Sequence, residues 1–274
     1  MPEPALLALS LDACAYLPRD AAPRASRRVP LPAQRAAWPA QVFSEIAAPT
    51  TAFNVVLADS AVKYFVVAPP QGLQRFSELR NLAQMRAAEL FGSDSAQWRI
   101  SGDWNPSQPF LCCAVPNDLL APLIAYVGTK LLSAAPIFVR RYNAAAAQLR
   151  GAPAWFVCRA GGWVSAGYFE GSACRSVRST ALAQPAALGR WLGQEALLAN
   201  LPLTEVWLAQ EQAQDGRAQD RQPQDRHAQD QQPQDQQPQD LVIAGANVRR
   251  IATRRDELRD LELLGQLATS EVPA

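Results

Sequence analysis

The chain carries short apolar runs separated by polar residues, Gly and Pro, and a few longer segments in which apolar residues recur with a helical period. The short runs predict strands at 5–17 (one or two strands), 53–58, 61–68, 98–102, 109–115, 137–139, 154–158, 163–169, 173–178, 204–208, 241–244 and 247–251. The periodic segments predict helices at 33–47, 77–91, 116–132, 142–149, 185–199 and 255–267. The Pro- and Arg-rich segment 19–32 is predicted to be a loop or an edge strand.

The order of these elements predicts an α/β protein with two lobes. The second half has three consecutive strands, a helix, a strand, a loop and further strands, which is the topology of a ribonuclease-H-like lobe. The first half follows the same order if an α-β-β piece around 73–115 is inserted in it. We therefore expect a first lobe over 1–150 and a second over 151–274, and two such lobes in tandem form a degenerate actin-like fold.

Two local patterns give more specific predictions. The runs 53–58 and 61–68 are separated only by Asp59 and Ser60, which predicts a hairpin and explains Asp59 by turn chemistry. The charged residues of the predicted helix 255–267, including Asp260, have helical spacing and predict a solvated, ion-paired face.

Six consecutive pentapeptides ending in Gln-Asp occupy 211–240. The segment has no apolar periodicity and contains repeated Pro, so it cannot bury enough surface to offset the entropy of ordering it. We interpret it as a disordered loop, the alternative being a polar tether for a partner. It contains His227, the only histidine of the chain, so histidine-based catalysis and metal binding are disfavoured.

The charge, the cysteines and the motifs that the sequence lacks exclude several classes of function. The formal net charge of +1 gives no electrostatic footprint for nucleic acid. The five cysteines lack CxxC spacing and lie in apolar runs, which predicts buried free thiols rather than disulfides or a zinc site. No apolar stretch of about 18 residues is present, so we expect no membrane span and a soluble cytoplasmic protein. The sequence also lacks a P-loop, GxSxG and HExxH.

One part of the chain resembles a known family. The residues are VVLADSAVKYFVVAPPQGLQRFSELRNLAQMRAAELFG at 55–92, PFLCCAVP at 109–116, NDLLAPLIAYVGTKLL at 117–132, PIFVRRYNAAAAQL at 136–149 and AWFVCRAGGWVSAGYFEGSACRSVRS at 154–179. In this order they resemble actin-like assembly proteins of type IV pili and type II secretion systems: the pilus-assembly protein M type and the cytoplasmic region of the secretion protein L type. The resemblance implies an intracellular scaffold that couples an inner-membrane assembly protein, or the assembly ATPase, to the machine.

Actin-like ATPases hold nucleotide between two phosphate loops, in which Gly lets the backbone approach the phosphates. The first candidate loop contains Asp12 but no Gly, and the second contains Arg159, Gly161 and Gly162 but no acidic residue. We therefore expect no enzymatic activity and no cofactor, with these four residues as the candidates if ATP binds. The alternative function is an actin-like or sugar-kinase-like ATPase.

Aromatic residues of the second lobe provide candidates for partner binding. Trp163, Tyr168 and Phe169 lie in one predicted meander, where alternate side chains of an edge hairpin can face outward. Packing in the core is the alternative for all three. Partner recognition by a groove or by strand addition to a sheet edge suits the predicted fold.

Overall fold

The computed structural model describes residues 4–18, 26–46, 52–92, 97–149, 151–160, 162–182, 184–210, 243, 246–251, 260 and 263–264. The predicted disordered loop 211–240 and most of the predicted helix 255–267 therefore lie outside the described residues, as does most of the predicted strand 241–244.

Five strands form the first sheet in the order β3-β2-β1-β4-β8. They are β1 (Ala5–Leu9), β2 (Ala13–Leu17), β3 (Arg27–Pro30), β4 (Phe53–Leu57) and β8 (Leu131–Pro136). The first three form an antiparallel meander, whereas β4 is parallel to both β1 and β8. Every residue of β1 is buried, as expected for a strand that is covered on both faces.

The second sheet repeats this order as β11-β10-β9-β12-β13. Its strands are β9 (Ala154–Ala160), β10 (Trp163–Glu170), β11 (Ala173–Ala181), β12 (Glu205–Gln210) and β13 (Asn247–Arg250). Again three antiparallel strands are followed by two parallel ones. Two sheets with this shared order confirm the predicted α/β class with two ribonuclease-H-like lobes in a degenerate actin-like arrangement.

Helices cover the faces of both sheets. They are α1 (Trp38–Ile46) and α3 (Asn117–Val127) on the outer face of the first sheet, α5 (Leu188–Ala199) on the outer face of the second, and α4 (Ile137–Leu149) between the two sheets. The core between the sheets joins Leu6 and Ala8 of β1, Phe138 of α4 and Phe156 of β9. The interface between the lobes is therefore largely apolar.

A third sheet with the order β5-β7-β6 lies between β4 and α3 in the sequence. It consists of β5 (Lys63–Val67), β6 (Trp98–Gly102) and β7 (Phe110–Pro116), and α2 (Phe76–Phe91) packs on one of its faces. Gly102 lets β6 approach β7, because a Cβ atom at this position would come within 2.7 Å of the Cys112 sulfur.

The predicted hairpin over 53–68 is wrong. A short 3₁₀ helix, Asp59–Ala61, separates β4 from β5 and directs them into different sheets. β4 lies between β1 and β8, and β5 pairs with β7. Two apolar runs around a turn predict two strands, but a local pattern does not specify which strands pair.

Two boundaries near residue 130 are also wrong. The predicted helix 116–132 ends at Val127, where Gly128 adopts a φ of 55°, and the remaining apolar residues form β8. The predicted strand 137–139 is instead the first turn of α4. The prediction that Asp260 lies on a solvated, ion-paired face is wrong about its exposure, because Asp260 is buried; its carboxylate does form an ion pair, with Arg140 of α4, from which it accepts a hydrogen bond at 2.9 Å.

Candidate functional site

The two candidate phosphate loops can be compared with the carboxyl ends of the parallel strands, beyond which ligands of open α/β sheets usually bind. In the first lobe the turn Ser10–Asp12 lies at this edge, since Leu9 is beside Leu57 in the parallel pair of β1 and β4. Asp12 is exposed there, and its carboxylate accepts a hydrogen bond from the Ser10 hydroxyl at 2.6 Å.

The second candidate loop occupies the corresponding edge of the second lobe. Arg159 is half-buried near the end of β9, and Gly162 has a φ of 76° in the turn to β10. Gly161 lies outside the described residues. Within the described part of the chain, no hydrogen bond or ion pair joins the side chains of Asp12 and Arg159. The structure thus places these residues at equivalent edges without bringing the two charged groups into contact.

Asp59 occupies the junction between these parts of the molecule. It is 2% exposed, and its carboxylate accepts hydrogen bonds from the Tyr64 hydroxyl at 2.5 Å and the Ser165 hydroxyl at 2.7 Å. The backbone N–H of Phe138 also donates to it, at 3.4 Å. Because Tyr64 belongs to β5, Ser165 to β10 and Phe138 to α4, this one carboxylate links the third sheet, the second lobe and the helix between the lobes.

The surroundings of Asp59 explain the raised pKa of its carboxyl. Burial raises the pKa of the carboxyl to about 6, although the hydrogen bonds from Tyr64, Ser165 and Phe138 lower it in part. The carboxylate is therefore mainly ionised at neutral pH and uses the protein's own donors. This arrangement suits a structural link between the lobes better than a ligand for a metal ion or a phosphate-bound cation.

The three aromatic partner candidates have different environments. Tyr168 is 2% exposed and packs against Trp155, with ring centroids 5.5 Å apart, in the core beneath α5. Phe169 is also buried, and its ring stacks on Tyr142 at 3.9 Å. Trp163 is half-buried. An exposed patch formed by all three is therefore not present, and core packing describes Tyr168 and Phe169.

A groove between β8 and β6 offers a clearer binding surface. We name this cavity, of about 380 Å³, the edge groove. Among the strands that the structure describes, both are the outermost of their sheets, so each presents backbone groups that no other described strand pairs. The floor is apolar and includes Leu111, Cys113 and Val115 of β7.

The two walls of the edge groove differ. The β8 wall has small or aliphatic residues, with Leu132, Ser133 and Ala134 exposed. The other wall is formed by alternate residues of β6 and the position after it, namely Arg99, Ser101 and Asp103. An extended segment could therefore add to the β8 edge, place apolar side chains on the floor and meet charged groups on the opposite wall.

A second cavity of about 510 Å³ lies beside α4, and we name it the aromatic cavity. Its walls include the rings of Tyr142, Phe156 and Phe169, together with Asp103 and Asn105. Asp103 lines both this cavity and the edge groove. The apolar surroundings raise the pKa of the Asp103 carboxyl, an effect that the backbone N–H of Leu111 partly offsets by donating a hydrogen bond to it.

The cysteines behave as predicted. All five are free and buried, and burial raises the pKa of the Cys14 and Cys113 thiols to about 12. Such thiols are protonated at neutral pH and are poor nucleophiles and metal ligands. Among the described residues, no group of three or more His, Cys, Asp or Glu side chains is arranged to hold a metal ion.

None of the described helices combines the length and the hydrophobicity needed to cross a bilayer.

Several solved structures are similar to this chain, three of them as follows. The cytoplasmic domain of EpsL, an inner membrane component of the type II secretion system of Vibrio cholerae, is 13% identical, with coverage of 75% of this chain and 81% of that one and a TM-score of 0.47. A PilM–PilN type IV pilus biogenesis complex is 13% identical, with coverage of 76% and 81% and a TM-score of 0.47. A Bacteroides thetaiotaomicron protein with an actin-like ATPase fold is 10% identical, with coverage of 78% and 84% and a TM-score of 0.47. No protein-family model and no curated protein matches the sequence.

Sequence reasoning missed the two features that dominate this site. Asp59 was explained as a turn residue, because its bond to Ser165 spans 106 positions and leaves no local signal. The β8 edge is missed because 131–132 fall at the end of the predicted helix 116–132 and 133–136 fall in no predicted element. Asp103 follows a correctly predicted strand, and only the strand order shows that this strand borders a groove.

Proposed function

We propose that this chain is a non-enzymatic, cytoplasmic scaffold of a bacterial type IV pilus or type II secretion-like machine, and that its edge groove binds an extended segment of an inner-membrane assembly partner. The observation that carries the proposal is the position of the groove between two strands, β8 and β6, each of which is the outermost of its sheet in the part of the chain that the structure describes. The type of machine and the class of partner come from the sequence resemblance at 55–179.

Strand addition is the binding mode that the groove favours. A segment paired with β8 gains main-chain hydrogen bonds, each worth about 0.5–1.5 kcal/mol net, and buries alternate side chains on the apolar floor. The exposed part of β8 carries no aromatic or charged side chain that would obstruct an incoming backbone. Affinity then comes mainly from the backbone and the floor, and specificity from the Arg99 and Asp103 wall.

Site-specific photocrosslinking in cells tests this proposal. A photoreactive amino acid replaces Leu132, which is 59% exposed on β8, in the full chain. The matched control replaces Leu197, which is 83% exposed on α5 and lies outside the groove lining. We expect a discrete adduct with an inner-membrane protein from position 132 and none from position 197.

The outcomes separate the proposal from its rivals. An adduct from position 132 that disappears when Ala134→Arg is introduced supports binding in the groove, because the new side chain occupies the β8 wall. Crosslinks of equal yield from positions 132 and 197, or none from position 132 while the machine is assembled, would contradict it.

The second candidate is an actin-like or sugar-kinase-like ATPase. It is favoured by the exposed Asp12 and by Gly162, whose positive φ suits a close backbone approach to phosphate, at the carboxyl edges of the two sheets. Calorimetric titration of the full chain with ATP and magnesium tests it. Micromolar binding that Asp12→Ala abolishes would support this candidate, whereas no heat of binding at millimolar ATP would eliminate it.

A further inference from the structure

We propose that the segment bound in the edge groove carries a Lys or Arg side chain that pairs with Asp103 and enters the aromatic cavity. This inference rests on the proposed function, since it concerns the chemistry of the same partner. It identifies the partner segment as extended, apolar along the floor and basic at one position.

The location of Asp103 is the first step. Asp103 follows β6 at the place where the edge groove meets the aromatic cavity, and it lines both. On α4, Val139 lines the groove and Tyr142 lines the cavity, and residues three apart are neighbours on a helix surface. A side chain that leaves a segment in the groove beside Asp103 therefore reaches the aromatic cavity directly.

The second step is the charge of Asp103. Its carboxylate accepts one backbone hydrogen bond, from Leu111, and no cationic side chain among the residues that the structure describes forms an ion pair with it. The neighbouring polar groups of the cavity are already engaged. The Asn105 side-chain oxygen accepts from the Ser107 N–H at 2.9 Å, and the Gln108 amide donates to the Ser172 hydroxyl at 2.5 Å. Asp103 is thus the group best placed to receive a donor from a ligand.

The third step is the chemistry of the cavity walls. Tyr142, Phe156 and Phe169 present aromatic rings, which attract a Lys or Arg head group and also pack against its aliphatic stem. Burial raises the pKa of the Tyr142 hydroxyl to about 12, so this group is neutral at neutral pH. Asp103 is therefore the negatively charged group that a basic side chain would meet here, and Tyr142 offers only its ring and a neutral hydroxyl. One carboxylate with aromatic neighbours is a suitable receptor for a basic side chain.

The position of Arg99 argues against a bound segment whose acidic side chain enters the aromatic cavity. Arg99 lies on the same wall of the groove, four residues before Asp103, at a separation of about 13 Å along a strand. Arg99 lines the edge groove but not the aromatic cavity. An acidic side chain of the segment could therefore pair with Arg99 in the groove without entering the cavity. The two charges together fix the direction of a bound segment, with its basic residue at the cavity end.

Selection of peptides from a random ten-residue display library against the full chain tests the inference. Peptides are counted as groove-bound when Ala134→Arg removes their binding. We expect a Lys or Arg at one position, at a fixed spacing from apolar residues, in most groove-bound peptides. For such a peptide Asp103→Asn should weaken binding about 10-fold or more, which corresponds to about 1.4 kcal/mol.

The matched control is Glu89→Gln, which removes one negative charge from α2 on the opposite face of the third sheet and should leave affinity unchanged. Selection against Asp103→Lys should replace the basic position by an acidic one. Groove-bound peptides that have no basic position, or that bind Asp103→Asn as tightly as the unchanged chain, would overturn the inference alone. A library without any groove-bound peptide would contradict both the inference and the proposed function.

Discussion

Asp59 and Asp103 are two carboxylates with raised pKa values in very different surroundings. Asp59 is buried between the lobes and accepts hydrogen bonds from two hydroxyls and one backbone N–H, all supplied by the protein. Asp103 lines two open cavities and accepts one backbone hydrogen bond. The protein's own donors occupy the Asp59 carboxylate, whereas the Asp103 carboxylate can accept further hydrogen bonds from a ligand.

The difference between Asp59 and Asp103 shows that a raised pKa is not enough to identify a functional group. Desolvation raises the pKa of both carboxyls, but only the count of donors around each one separates a structural role from a recognition role.

The largest effect is expected from breaking the core beside Asp59. Phe138 is fully buried, and its ring contacts Tyr64 and Phe156 with centroids 5.3 and 5.5 Å apart. Phe138→Ala should lower the free energy of unfolding in urea by about 3–5 kcal/mol. Phe76→Ala on α2, where the ring is 57% exposed, should cost under about 1 kcal/mol. Equal losses for the two variants would contradict a structural role for the contact between the lobes.

The second effect is a pH dependence that belongs to Asp59. Its folded-state pKa of about 6 exceeds the ordinary value of 3.8, so the folded protein binds the proton more tightly than the unfolded chain does. The stability from this group is present at low pH and is lost as the pH rises from about 4 to about 6, by up to about 3 kcal/mol.

Denaturant unfolding of the unchanged chain and of Asp59→Asn across this range measures that effect. The difference in unfolding free energy between the two proteins should change between about pH 4 and 6 in favour of the variant, and stay constant above about pH 7. A difference that does not vary with pH would show that Asp59 titrates normally and is not enclosed as described.

A smaller effect is expected from the pentapeptide repeat. Replacing Glu211–Asp240 by a short Gly-Ser linker shortens the connection after β12, and each halving of a flexible loop is worth only about 0.6 kcal/mol. The melting temperature should therefore stay the same or rise slightly. A loss of several degrees would mean that the repeat contributes packing to the second lobe.

The smallest effect on stability is expected at Asp103. Asparagine preserves an oxygen acceptor for the Leu111 N–H, so Asp103→Asn should change the unfolding free energy by less than about 0.5 kcal/mol. Urea unfolding at neutral pH measures this value. If the variant were destabilised by several kcal/mol, Asp103 would be a structural group like Asp59, and the contrast between the two carboxylates would fail.

Much of the fold could be predicted from the sequence because it depends on local periodicity. The meander of β9, β10 and β11 follows from three apolar runs separated by tight turns, and α2 follows from a 3.6-residue period that ends at Gly92. Each of these patterns lies within one element or one turn, so it can be recognised in the sequence without knowledge of the tertiary structure.

The site was less predictable because its parts are distant in the sequence. The hydrogen bond from Ser165 to Asp59 and the groove between β8 and β6 depend on which strands become neighbours. The sequence pattern also predicts no strand at β8, because its first two residues fall in the predicted helix 116–132 and 133–136 fall in no predicted element. Tyr168 was a candidate for partner binding because aromatic residues in a hairpin can face either side, and the structure directs its ring into the core under α5.

Backbone hydrogen exchange of the full chain, with and without a groove-bound peptide, distinguishes binding at the edge groove from binding at the carboxyl edges of the sheets. Amides of β8 that point away from β4 have no partner strand within the described ranges and should exchange rapidly. We expect the peptide to slow exchange in β8 and around β6, with no change at 10–12 or in the turn between β9 and β10. Protection at those two turns with unchanged exchange in β8 would contradict the account and return the binding site to the carboxyl edges of the sheets.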